Sequence, residues 1–154
     1  MNSDTPISSI ELLVEAYHTL IPISQHMGIT VDAYDGNSLT IKAPLENNIN
    51  HQNSAFGGSL FSLAALAGWG IIQLKLSELN LSANTVIAGG DVSYSAPVFE
   101  ELVCQCRLPD EYDTFVDRLK SKGRASITLQ SNFMVDASIA MAFSGRYVVL
   151  PEGQ

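Results

Sequence analysis

The sequence predicts an α+β fold in which one long buried helix is set against an antiparallel sheet of about six strands. Three observations predict it. From Gly57 to Leu74, GGSLFSLAALAGWGIIQL, eighteen residues pass without a charged side chain, and a helix apolar around its whole circumference must be buried on all sides. Most other segments alternate apolar and polar residues, or lie between turn signals, which is the pattern of strands. At 154 residues the chain has the size of one domain, so 1–154 is taken as a single unit with an N-terminal helical segment over 1–21.

The elements follow in order. Ser8 or Ser9 can cap an amphipathic helix over about 10–20, with Glu11 in its first turn, and Pro22 stops it. Ile29, Val31 and Ala33 alternate with Thr30, Asp32 and Tyr34. Asp35-Gly36-Asn37 is a strong turn signal, and Leu39, Ile41 and Ala43 alternate on the return, so a hairpin is expected. A polar loop over 44–54 carries Asn47, Asn48, Asn50 and Asn53. The apolar helix comes next and ends near 79–81, with Asn80 as its cap. Strands are expected over 85–96 and 102–108. A short polar helix over 111–121 is closed by Gly123. A cleanly alternating strand spans 125–135, a turn sits at Asp136-Ala137-Ser138, and a last strand spans 139–150. That strand is apolar on both faces, as suits a central position.

Composition narrows the function. Charged residues make up 16% of the chain, below the usual quarter or so; a monomer with so few would struggle to cover its surface, which points to oligomerisation. Sixteen acidic against eight basic residues give a net charge of -8 and argue against nucleic acid as a partner. Four of the eight basic residues, Arg118, Lys120, Lys122 and Arg124, fall within seven positions. They read either as a solvated helix end or as a local anion site. Cys104 and Cys106 share one face of a strand, a poor geometry for pairing with each other, and are expected as free core residues in a reducing compartment. The N-terminal segment has no basic residue or apolar run typical of a signal peptide. The apolar helix lacks aromatic or basic anchors on both flanks, so no membrane span is expected. A cytoplasmic protein is the resulting expectation. One sheet can cover about half of the long helix, and a second copy of the chain is the simplest cover for the rest.

The stretch from Asn50 through GGSLFSLAALAG resembles the loop and central helix of the phenylacetyl-CoA-type thioesterases of the hotdog-fold superfamily. Asp91-Val-Ser-Tyr-Ser-Ala-Pro97 is similar to the strand of that superfamily that ends in a Tyr-x-x-Pro turn. Phe56-Gly-Gly-Ser59 together with Leu66-Ala-Gly-Trp69 resembles the "putative thioesterase" domains sometimes fused to acetyltransferases. The resemblance covers about residues 20–150. It implies a hotdog fold, a helix wrapped by a curved sheet, with two protomers joined edge to edge and in some cases dimers of dimers. It also implies a site at the dimer interface that acts on acyl-CoA or acyl-carrier-protein thioesters. Coenzyme A would enter as part of the substrate; no separate cofactor and no metal are implied.

Thioester hydrolysis needs a polarised carbonyl, an aimed water and a base. Amides at the start of a helix lack intrahelical partners and carry the positive end of its dipole. The resemblance assigns this oxyanion-holding turn to Gly57 and Gly58; a plainer reading is that the glycines permit close packing. It also assigns the orientation of the attacking water to Asn50, which otherwise reads as an ordinary turn residue. Two positions depart from the family pattern: Phe56 stands where a His is often found, and Ala65 where an Asp or Glu is found on the helix. No acidic residue lies between Glu46 and Glu78. Asp91, on the strand that the resemblance assigns to the dimer edge, and His51, in the loop, are the candidate bases. Each has a plainer reading, as a strand ion-pair residue and a solvated loop residue. Phe56, Ser59, Ser62, Ala65 and Tyr94 are candidate substrate contacts, with Trp69 and Phe61 as further aromatic candidates. The cluster from Arg118 to Arg124 is the candidate for coenzyme A phosphates. His18 and His26 flank Pro22 and show no metal-ligand spacing. The expected function is an acyl-CoA or acyl-carrier thioesterase. A non-catalytic acyl-CoA-binding module is the first alternative and an acyl dehydratase, which normally needs a His with a carboxylate, the second.

Overall fold

The computed structural model describes residues 8–153. The parts of the predicted domain and helical segment at residues 1–7, and Gln154, lie outside these. The first helix, α1 (Ser9–Leu20), opens at Ser8, whose hydroxyl accepts from the Glu11 amide while the Glu11 carboxylate accepts from the Ser8 amide. This reciprocal capping box satisfies two otherwise orphaned donors. Pro22 does more than stop α1. It stands at the start of a second short helix, α2 (Ile23–Met27), for which its fixed φ is already suitable. Gly28 ends that helix at φ +74°, and a Cβ there would press on the side chains of Pro44 and Asn47.

The hairpin forms as expected from β1 (Thr30–Tyr34) and β2 (Ser38–Ala43). Asp35 shapes its turn by accepting from the amides of Asn37 and Ser38 at 2.9 and 2.7 Å. Then come α3 (Gly57–Glu78), β3 (Asn84–Tyr94), β4 (Leu102–Arg107), α4 (Tyr112–Lys122), β5 (Ala125–Val135) and β6 (Ser138–Leu150). Asn80, just past the end of α3, has the left-handed conformation expected of it. β3 stops two residues before the predicted end, because the amides of Ser95 and Ala96 both turn to the Ala140 carbonyl ahead of Pro97.

The six strands form one antiparallel sheet in the order β1-β2-β4-β5-β6-β3. β6 has partners on both sides, as its two apolar faces require. The concave face carries Leu39, Ile41, Leu102, Cys104, Cys106, Leu129, Phe133, Met141, Phe143 and Tyr147, all buried. Both cysteines are free and sit in this core, as their spacing predicted. α3 lies across this face, with α1 against one flank. It is long and apolar enough to cross a bilayer, yet most of it is buried inside the fold.

Two tyrosines tie α3 down from opposite sides. The Tyr17 hydroxyl donates to the Leu66 carbonyl at 2.6 Å, and the Tyr147 hydroxyl donates to the Ala65 carbonyl at 2.7 Å. Gly70 and Gly68 leave the space those hydroxyls occupy. The fold does not complete the all-round burial expected for α3: Gly58, Ser62, Ala65, Trp69 and Gln73 stay half-exposed along one stripe. The edge strand β3 is exposed over nearly its whole length.

Candidate active site at the start of the long helix

The loop before α3 is closed on itself. Ile49 bridges Ala55, the Asn50 amide donates to the Ser54 carbonyl, and Asn53 takes a left-handed conformation between them. The Asn50 side chain is committed to this turn. Its Oδ1 accepts from the amides of Gln52 and Ser54, at 2.8 and 3.1 Å, and its Nδ2 donates to the Ser54 hydroxyl at 3.0 Å. The structure therefore brings Asn50 to the loop that positions the helix start, and not into a cavity beside it. His51 is exposed in the same turn.

The loop hands the chain to α3 through two strong contacts. The Ala55 amide donates to the Val98 carbonyl and the Phe56 amide to the Asn48 carbonyl, both at 2.7 Å. Phe56 is the residue before the helix and has no side-chain oxygen to cap it. The Ser59 and Leu60 amides turn back to the Phe56 carbonyl, while those of Gly57 and Gly58 have no backbone acceptor among the described residues. No acidic side chain stands in the first turn. The positive end of a 22-residue helix is thus left open, the electrostatics that favour an oxyanion.

A cavity lies on each side of this opening. One, of about 410 Å³, is lined by Gly58, Ser59 and Ser62 on α3, Phe56 and Asn48 before it, and His26 with Met27 and Ile23 on α2. The other, of about 350 Å³, is lined by Gly57 and Leu60 with Ala55, Tyr94 and the segment 95–98. Tyr94 donates from its hydroxyl to the Gly57 carbonyl at 2.8 Å, and the Ser62 hydroxyl donates to the Gly58 carbonyl at 2.8 Å. The ring of Phe56 lies where a side chain on Gly58 would go. Gly57, Gly58, Phe56, Ser59, Ser62 and Tyr94 therefore come together. Ala65 lies two turns along the half-exposed stripe and offers no proton-accepting group.

Other expected residues stand elsewhere. The helix-facing residues of β3 are those opposite Tyr147, Phe143 and Met141, namely Ile87, Val92 and Tyr94. Asp91 is on the other face of the strand, opposite Ser144, and is exposed. Trp69 packs on Tyr17, with ring centroids 5.6 Å apart, and Phe61 on the edge of Phe143 at 5.1 Å. Arg118 lines a groove of about 700 Å³ between α4 and the outer face of β5, with Asp110, Glu111, Ser126, Thr128 and Gln130. Lys120, Lys122 and Arg124 are exposed beside it. Along β6, Met141 pairs with Tyr94 while Val149 pairs with Ala125, next to the basic cluster. Eight strand residues separate those rows, about 26 Å at 3.3 Å per residue. Within the chain the cluster and the Gly57–Gly58 turn are at opposite ends of the sheet.

His26 was not picked out by its sequence as a candidate base, and among the residues lining the two cavities it is the one that carries an imidazole. The local signal for its segment was Gly28, a natural end for a helical turn at 23–27. Nothing local signalled the pairing of that turn with the start of α3.

Comparison with known proteins places the chain. A family model described as "Putative thioesterase (yiiD_Cterm)" matches residues 10–151. Among solved structures, the chain is similar to a protein of unknown function from Chlorobaculum tepidum, at 37% identity and TM-score 0.89, over 92% of this chain and 94% of that one. It is also similar to a "putative thioesterase" from Shewanella oneidensis, at 30% identity and TM-score 0.86, over 93% and 98% of the two chains. The PaaI protein of the phenylacetic acid degradation operon of E. coli shares the fold, at 16% identity and TM-score 0.62, over 92% and 94%.

Proposed function

The chain belongs to the "putative thioesterase" family of the hotdog-fold superfamily, and from that premise we propose that it hydrolyses acyl thioesters of coenzyme A or of an acyl-carrier protein. The observation that carries the proposal is the uncapped start of α3, where the Gly57 and Gly58 amides lack backbone acceptors and each glycine borders a cavity. A thioester carbonyl placed there would gain two donors and the helix dipole as its oxygen becomes negative. Asn50 acts as a positioning residue, since its side chain closes the loop that delivers Phe56 and Gly57. The site works at the seam of a homodimer: the exposed edge of β3 and the half-exposed, uncharged stripe of α3 support a second copy there. The basic cluster from Arg118 to Arg124 would take coenzyme A phosphates from a substrate bound across that seam. The buried free cysteines fit a reducing, cytoplasmic setting.

A second reading is supported by Ala65 and Phe56: the same cavities bind acyl-CoA without turnover. The dehydratase reading has less support, since no His–carboxylate ion pair forms among the described residues. Purified protein incubated with a panel of acyl-CoAs, with free thiol followed in time, separates these readings. Thiol release that falls in Asn50→Ala supports the hydrolase. Saturable binding without thiol release supports the binding module.

A further inference from the structure

We infer that His26 is the general base of this site. The inference rests on the thioesterase reading and names the proton acceptor that the sequence did not supply. Two observations carry it. First, His26 lines the cavity of about 410 Å³ that also holds Gly58, Ser59 and Ser62 at the open start of α3. Second, the segment is clamped in place. Asn47 donates from Nδ2 to the His26 carbonyl at 3.1 Å, and Asn48 donates from Nδ2 to the Met27 carbonyl at 2.9 Å and to the Pro44 carbonyl at 2.8 Å. The Asn48 carbonyl in turn accepts from the Phe56 amide. One short run of chain thus locks the end of α2 to the residue that begins α3, and holds the backbone of His26 beside the start of that helix.

The chemistry balances without a carboxylate. Water attacks the thioester carbon, forming a C–O bond, while the unprotonated imidazole nitrogen of His26 takes a proton from that water. The carbonyl oxygen becomes an oxyanion held by the Gly57 and Gly58 amides. When the C–S bond breaks, the electron pair leaves with sulfur and the proton held by His26 passes to it. The products are a carboxylic acid, which ionises to solvent, and a free thiol. Glu46 is exposed on the neighbouring loop and Lys42 pairs with Asp32 on the hairpin; neither lines the cavity.

The test is thiol release from acyl-CoA across pH for the wild type, His26→Gln and His26→Ala. The expected result is a fall in kcat of about 10²- to 10⁴-fold in His26→Gln, the range for losing a general base. KM should change less than threefold, and the acid limb of the wild-type pH profile should vanish. Added imidazole should restore part of the turnover of His26→Ala, which a merely structural role would not allow. His26 is exposed, and a CD spectrum checks that both variants fold. Turnover within threefold of wild type in His26→Gln, or a wild-type profile with no acid limb, overturns the assignment and leaves the hydrolase standing. A wild type that releases no thiol from any acyl-CoA or acyl-carrier substrate overturns both.

Discussion

The hydroxyl of Tyr147 occupies the place that a side chain on Gly68 would need, and from there donates to the Ala65 carbonyl at 2.7 Å. The two residues lie on β6 and α3, and the fit explains a glycine inside a long helix. Replacing a helical glycine by alanine usually stabilises by about 0.5–1 kcal/mol. Here the sign reverses: Gly68→Ala should cost about 1–3 kcal/mol as the overpacked ring shifts. Tyr147→Phe alone should cost about 0.5–1.5 kcal/mol for the lost hydrogen bond. Urea titration of both variants and their double shows the coupling: the double should be more stable than the sum of the two losses predicts. Additive losses would mean the two residues do not contend for this space.

Cys104 and Cys106 should be inert in the folded protein. Burial pushes the Cys106 thiol up to about 11, and burial pushes Cys104 up strongly, with Cys106 adding to it. Nucleophilic reaction needs the thiolate. Labelling with a disulfide reagent at pH 8 should therefore proceed at the rate of global opening and accelerate with urea in step with unfolding. Rapid labelling of either thiol without denaturant would contradict the burial.

Acid should weaken the fold in part through Glu78. Burial raises its carboxyl, but hydrogen bonds from Lys75 and Tyr34 and the charge of Lys75 outweigh that, leaving it below the usual range. A group lowered on folding binds its proton less readily in the folded state. Its stabilisation is therefore present above the unfolded value near 4.5 and fades as pH falls through the folded one. Because the Glu78 side chain is 48% exposed, Glu78→Gln should cost less than about 1 kcal/mol at pH 7. Denaturation midpoints between pH 3 and 6 should fall less steeply in the variant than in the wild type.

Asn50→Ala should lose about 1–2 kcal/mol, since it leaves the Gln52 and Ser54 amides without their acceptor. Asn50→Asp keeps that acceptor and should recover most of the stability. Turnover that recovers in parallel marks Asn50 as a positioning residue. Turnover that stays low in Asn50→Asp, with stability restored, would give the amide nitrogen a direct part in the chemistry.

Much of the fold was legible because its signals are local. The turn at Asp35, the end at Gly123 and the alternation over 125–135 each depend on residues a few positions apart, and the strands and turns fall where those signals put them. Pro22 was half-legible: it bars the continuation of α1, and the same fixed φ opens α2. The tyrosine ties were not legible, since Tyr17 and Leu66 are 49 residues apart in the chain and Tyr147 and Ala65 are 82 apart. Gly68 and Gly70 read only as small residues in an apolar run until the hydroxyls are seen beside them. The candidate site divides the same way. Gly57 and Gly58 were visible from the open start of a helix, whereas His26 is joined to that turn only through the loop that carries Asn47 and Asn48.

The bare flank of β3 has a consequence for how the chain resists self-association. Over 84–94 it offers a row of unsatisfied main-chain groups with Asp91 as its single formal charge. Such a margin invites runaway stacking of strands into fibrils unless a charge discourages it. On this view Asp91 is a gatekeeper against amyloid-like growth. Asp91→Asn should shorten the lag before thioflavin-positive aggregates form in dilute, gently warmed protein, and an unchanged lag would relieve Asp91 of that duty.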